Sequence, residues 1–148
     1  MRIYLDVCCL NRPFDDLSIG RNRLEAEAVL EILGRVRDGS WELVGSEVVE
    51  AELSVAPLSE RVARVRSLAG LRSDRAAAGP REQARAAILV GLGVRPLDAL
   101  HVACAEAAGC DVLLTTDDSL LAKAKAHSGD IMVRVANPLV WIAEVTTP

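Results

Sequence analysis

Four carboxylates, Asp6, Glu52, Asp98 and Asp117, sit where apolar runs end or inside otherwise apolar helical patterns. No cluster of His and Cys with metal-ligand spacing accompanies them. Cys8, Cys9, Cys104 and Cys110 form no CxxC pair and read as small buried hydrophobes in a reducing compartment. A ligand set made only of oxygens suits a hard cation such as Mg²⁺ or Mn²⁺ and not zinc. Such ions bind phosphates, activate water and stabilise both the attacking and the leaving oxygen of a displacement.

Glu52 is the carboxylate best separated from its neighbours by pattern. In the stretch Glu47 to Val55, at 100° per residue, Val48, Val49, Leu53, Val55 and Ala56 cover an arc from about 80° to about 240° from Glu47. Glu47, Glu50 and Ser54 lie opposite, whereas Glu52 falls at about 140°, inside the apolar arc. A carboxylate there must be paired, protonated or bound to a cation, because an isolated buried charge is prohibitively expensive. An arginine partner is the alternative. Asp98 occupies the third position of a helix starting at Pro96, where the helix dipole favours an acid anyway. The same helix is apolar nearly all round, so Asp98 and His101 stand out within it. His101 reads more readily as a satisfied core histidine than as a participant. Asp6 and Asp117 are ordinary singly; their conjunction with the other two gives them weight. Asp118 reads as the cap of the following helix or as a further ligand.

The elements that must position these side chains alternate in type. Arg2–Asp6 is a β-type run, followed by a loop through Asn11 to Asp16. Ser18 or Asp16 is placed to cap a long helix to Arg37, with an inward stripe of Leu24, Ala28, Ile32, Leu33 and Val36. A second strand at Trp41–Val44 leads to the short helix capped by Ser46. Residues Leu58 to Leu92 read as helical, broken near Ser73 and at Gly79-Pro80. After the helix from Pro96 to Ala108 come strands at Val112–Thr115 and Ile131–Val135, separated by a helix reaching about His127, and a short helical tail. Apolar strands with little alternation, separated by helices, indicate a parallel sheet covered on both faces, an α/β arrangement in one domain spanning residues 1–148. Ligands of such sheets bind at the carboxyl ends of the strands, where Asp6 and Asp117 fall.

With 148 residues the chain can bury roughly two-thirds of its unfolded surface. The net charge is −4, and aromatic residues are limited to Tyr4, Phe14, Trp41 and Trp141. That disfavours a stacking groove for bases and a nonspecific backbone binder. The placement of charge is less uniform than the sum: residues 60–85 carry seven arginines against Glu60, Asp74 and Glu82. This segment could face a phosphate backbone or an acidic partner, or be a solvated helix surface. No signal-like or membrane-spanning apolar run is visible, and a cytoplasmic location is expected.

On these residues the chain resembles the PIN-domain family, which includes the VapC-type toxin ribonucleases. The resemblance runs through Tyr4-Leu5-Asp6, Ser46 with Ala51-Glu52-Leu53, Leu97-Asp98-Ala99-Leu100-His101-Val102-Ala103 with Ala105, and Leu113-Leu114-Thr115-Thr116-Asp117. The segment Cys8 to Asp16 is similar to a bacterial subgroup of the family. The resemblance implies a three-layer α/β/α sandwich with a central, mainly parallel sheet. It implies that Asp6, Glu52, Asp98 and Asp117 are the catalytic, metal-holding acids for Mg²⁺ or Mn²⁺. It further implies endonucleolytic hydrolysis of RNA phosphodiester bonds to 5′-phosphate and 3′-hydroxyl ends, a cognate antitoxin and a possible homodimer. Thr115 matches the family's hydroxyl residue before the last acid. Val7-Cys8 stand where family members place Thr or Ser, often followed by Asn, so a catalytically weak PIN-fold binding or scaffold module is the alternative. A phosphatase of the DxD type is disfavoured because Asp6-Val7-Cys8 lacks the second acid.

Overall fold

The computed structural model describes residues 1–148. Its five strands are β1 (Arg2–Leu5), β2 (Glu42–Ser46), β3 (Asp74–Ala76), β4 (Val112–Leu114) and β5 (Arg134–Ala136). All neighbouring pairs are parallel, in the order β3-β2-β1-β4-β5. Ile3 pairs with Leu43 on one side and Val112 on the other, which places β1 at the centre. The chain moves outward from β1 to β2 and β3, then returns to the opposite side of β1 for β4 and β5. Strand order therefore reverses between β1 and β4, the position at which parallel sheets open a crevice at their carboxyl edge. Ile3, Tyr4 and Leu5 are consecutive and all buried, so both faces of the sheet are covered. The architecture is the expected α/β/α sandwich.

Eight helices surround the sheet: α1 (Val7–Asn11), α2 (Gly20–Arg37), α3 (Glu47–Val55), α4 (Glu60–Ala69), α5 (Pro80–Gly91), α6 (Pro96–Ala107), α7 (Asp118–Ala126) and α8 (Pro138–Thr146). Helix α2 packs against α8, and α5 packs against α6. Trp41 and Trp141 meet edge to face, with ring centroids 5.0 Å apart. Gly109 closes the α6 end at φ 64°, a left-handed conformation that glycine adopts without a Cβ penalty. No helix is long and apolar enough to cross a membrane.

The structure departs from the sequence reading at six places. The segment after Asp6 is not a loop: α1 starts at once and a 3-10 turn follows at Arg12–Phe14. Neither Ser18 nor Asp16 caps α2, whose N-cap is Ile19; the Asp16 carboxylate instead accepts from the Ser18 amide and hydroxyl. Residues 58–92 contain the strand β3 between α4 and α5, and β5 begins at Arg134, three residues later than expected. The inward side of α2 differs as well. Leu24 is exposed, and the buried residue at that level is Glu25. Val55, assigned to the apolar arc of α3, is exposed at the helix end. A charge can replace leucine in α2 because Arg12 and Arg21 pair with the Glu25 carboxylate, at 2.8 and 2.9 Å, and the Asn137 amide donates to it at 2.7 Å.

Candidate metal centre

Asp6 is the first residue beyond β1, and its backbone N–H still donates to Leu114 of β4. Its carbonyl accepts from Cys9 and Leu10, so the residue joins the central strand to α1 and its buried side chain faces the crevice. Asp6 continues the extended backbone of β1 by one residue, so Tyr4 and Asp6, two apart, share a face. Beyond β4 the Thr115 amide donates to Ala136, which continues the sheet ladder as far as the site. The Thr115 hydroxyl donates to Asp6 Oδ2 at 3.0 Å and accepts from the Asp117 amide at 3.1 Å. One hydroxyl thus ties the first acid to the last. Cys8 adds its thiol, 3.3 Å from the same hydroxyl oxygen, and accepts from the Thr116 amide at 3.4 Å.

Glu52 reaches the site from the second turn of α3. That helix forms because the Ser46 hydroxyl accepts from the Val49 amide at its N-terminus, while Val48, Val49 and Leu53 are buried. Glu47 and Glu50 point the other way, where Arg75 pairs with both. Glu52 has no arginine partner; His101 Nε2 stands 2.5 Å from its Oε1 and 3.6 Å from Asp6 Oδ1. One ligand atom each from Asp6, Glu52 and His101 lie within 4.8 Å of one another. His101 is three residues beyond Asp98 on α6, so the two share a helical face. Its side chain is 1% exposed. Burial pushes the imidazolium pKa down, but the Glu52 hydrogen bond and the charges of Asp6, Glu52 and Asp98 outweigh it and raise the value above the ordinary one.

Asp98 and Asp117 stand on the outer side and are bridged by Arg95. The Arg95 Nε donates to Asp98 at 2.9 Å, and a terminal nitrogen pairs with Asp117 Oδ2. Arg95 precedes Pro96 in an extended conformation and serves as the N-cap position of α6 without capping it, its side chain being turned to the acids. At 57% exposure it is the most open group of the site. Burial raises the Asp98 pKa against the pull of Arg95, with Asp6 and Asp117 adding repulsion. Asp117 Oδ1 accepts from Ser119 and Leu120, so Asp117 is itself the cap of α7. Asp118, expected to fill that role, instead pairs with Arg21 at 2.8 Å.

All four sequence-derived acids therefore lie at the β1/β4 reversal, in two groups joined by Thr115. Arg95 and Glu25 were not anticipated, and His101 was discounted; beside the local pairs Arg95–Asp98 and Arg21–Glu25, each meets partners on other elements, Asp117 for Arg95, Arg12 and Asn137 for Glu25, and Tyr4 and Glu52 for His101, which leave no local pattern. The basic segment is mostly occupied within the chain. Arg61 pairs with Asp15, Arg64 with Glu60, Arg72 and Arg75 with Glu50, and Arg85 with Glu106.

The PIN domain family model matches residues 3–126. A solved structure with a similar fold is that of VapBC2 from Rickettsia felis bound to a DNA fragment from their promoter. Its matched chain is 15% identical, with a TM-score of 0.61 and coverage of 93% of this chain and 98% of that one. No curated protein matches the sequence. The family match covers most of the chain and every acid named above, and the protein belongs to the PIN domain family.

Proposed function

We propose that this protein is a divalent-metal-dependent endoribonuclease, the toxin of a toxin–antitoxin pair, with Asp6, Glu52, Asp98 and Asp117 as its metal-holding acids. The observation that carries this reading is the gathering of these carboxylates at the strand-order reversal, with Asp6 and Glu52 lacking any arginine to neutralise them. The donor set fits a hard cation: carboxylate oxygens predominate, no cysteine thiol has a place among them, and on the outer side a guanidinium already supplies positive charge between two acids. A bound Mg²⁺ or Mn²⁺ would supply phosphate binding and water activation. The chain's own groups do the rest. Thr115 holds Asp6 and Asp117 at fixed spacing, and the open outer side gives a phosphodiester access. PIN membership and the fold shared with a VapBC protein support the nuclease and antitoxin parts of the proposal. A cytoplasmic location, a single domain over 1–148 and a homodimer belong to the same reading.

The test is cleavage of a mixed RNA pool with Mn²⁺, with EDTA, and by the Asp6→Asn variant. Expected are 5′-phosphate and 3′-hydroxyl ends with Mn²⁺ alone and none in the other two reactions. EDTA-resistant cleavage would overturn the proposal. One observation favours a second reading, a PIN-fold module without useful catalysis: Val7, largely buried, puts no hydroxyl beside Asp6. Saturable Mn²⁺ binding with no cleavage of any RNA would select that reading.

A further inference from the structure

Glu52 is carried in the second turn of a nine-residue helix whose last residue, Val55, is exposed, as is Leu58 just beyond it. A long carboxylate side chain in that position has rotamer freedom that must be removed to hold it at one point. His101 removes it. At 2.5 Å a proton must lie between His101 Nε2 and Glu52 Oε1, so Nε2 is a donor and has no lone pair for a metal. On the other side of the ring, Nδ1 lies 2.6 Å from the Tyr4 hydroxyl, which lies 2.6 Å from the Ser46 hydroxyl. In the neutral imidazole that carries its hydrogen on Nε2, Nδ1 accepts the Tyr4 hydrogen and the Tyr4 oxygen accepts from the Ser46 hydroxyl, whose oxygen also accepts the Val49 N–H. Each hydrogen then has an acceptor, in one direction, from the backbone of α3 to the carboxylate on α3. The Tyr4 ring also meets the imidazole edge on, with centroids 5.7 Å apart. A flipped ring would set carbon atoms against both polar partners.

We propose that His101 is a positioning residue: the chain Ser46–Tyr4–His101 fixes the Glu52 carboxylate and so sets the affinity of the site for a divalent cation. The proposal rests on the reading of the site as a cation centre. Outer partners of metal ligands typically change affinity by about 10–100-fold when lost.

Two isosteric replacements separate positioning from packing. Gln can place a donor where Nε2 stands and hold Glu52; Asn can reach Tyr4 but not Glu52. With Mn²⁺ as the titrant in calorimetry of the full chain, His101→Gln is expected to bind within about 3-fold of wild type. His101→Asn should bind about 10-fold or more weakly, although both lose similar Tm without metal. Because His101 acts through Glu52, adding His101→Asn to Glu52→Gln should weaken Mn²⁺ binding no further. Equal affinities for the Gln and Asn variants, or additive losses in the double variant, would overturn the positioning role while leaving the cation centre standing. A wild-type protein that takes up no Mn²⁺ would overturn both. Tyr4→Phe keeps the ring and removes the hydroxyl, so it provides the same comparison should both His101 variants fold poorly: weakened Mn²⁺ binding supports the chain and unchanged binding overturns it.

Discussion

The inner and outer walls of the acidic crevice are built on opposite principles. On the inner wall Asp6, Glu52 and His101 are held by directional hydrogen bonds from strand, helix cap and ring, with His101 sealed from solvent. On the outer wall Asp98 and Asp117 are held by the guanidinium of an exposed arginine. Buried hydrogen-bonded groups keep their geometry whether or not a ligand is present, whereas an exposed ion pair contributes only about 0.2–1 kcal/mol and exchanges readily with water and salt. The inner wall is preformed, and the outer wall can release its arginine when another cation arrives.

The largest expected effect comes from breaking the inner wall at its central acid. Asp6→Asn should lower RNA cleavage by at least about a thousandfold, the order of several kcal/mol of charge stabilisation. Its metal-free Tm should stay level or rise, because a buried charge close to Glu52 is removed; a collapse of the fold would count against the site. Next is the metal itself. Mn²⁺ at about 100 times its Kd should stabilise the wild type by about 2.7 kcal/mol, a Tm increase of about 5–10 °C in thermal melts, absent with EDTA. Unchanged melts would show that the walls do not close on an ion.

The outer wall can be separated into its two duties. Asp117→Ala loses both the carboxylate and the α7 cap, costing about 1 kcal/mol and a few degrees of metal-free Tm, while Asp117→Asn keeps the cap. Both should lose cleavage equally. Arg95→Gln should tighten Mn²⁺ binding by about 2- to 10-fold, since two exposed pairs no longer compete for the same oxygens. Weaker binding in that variant would make Arg95 part of the site's permanent frame and erase the contrast between the walls.

The smallest effect is expected outside both walls. Arg75 holds the Glu50 carboxyl at a pKa of about 2, well below its unfolded value. Its contribution to stability is present above pH ~4.3 and lost as pH falls through about 2. Glu50→Gln should therefore melt slightly below wild type at neutral pH, converge with it at about pH 2, and bind Mn²⁺ unchanged.

The two walls also differed in how well they could be read from the sequence. Glu52 was legible because a carboxylate inside an apolar arc violates a local period, and Ser46 because a cap lies three residues before the amide it accepts. The parallel sheet followed from apolar strands and intervening helices. Strand β3 was not legible: Asp74-Arg75-Ala76 has no apolar run, and only pairing with Val44 to Ser46 makes it a strand. Glu25 was missed because Arg21, one turn earlier on α2, is only part of its compensation; the rest comes from Arg12 and Asn137, on two other segments. His101 and Arg95 fail for the same reason. His101 meets Tyr4 and Glu52 only after β1, α3 and α6 assemble, and Arg95 reaches Asp117 across 22 residues. Period and spacing report which side chains face inward, and not which of them meet.

The most direct measurement is a calorimetric Mn²⁺ titration of the wild type beside Asp6→Asn and Asp117→Asn, one substitution from each wall. The expected result is saturable binding in the wild type, weakened by about tenfold or more in either variant, because the walls share the ion. Wild-type affinity retained in one variant and lost in the other would contradict a shared centre, and no binding in the wild type would contradict a metal centre altogether.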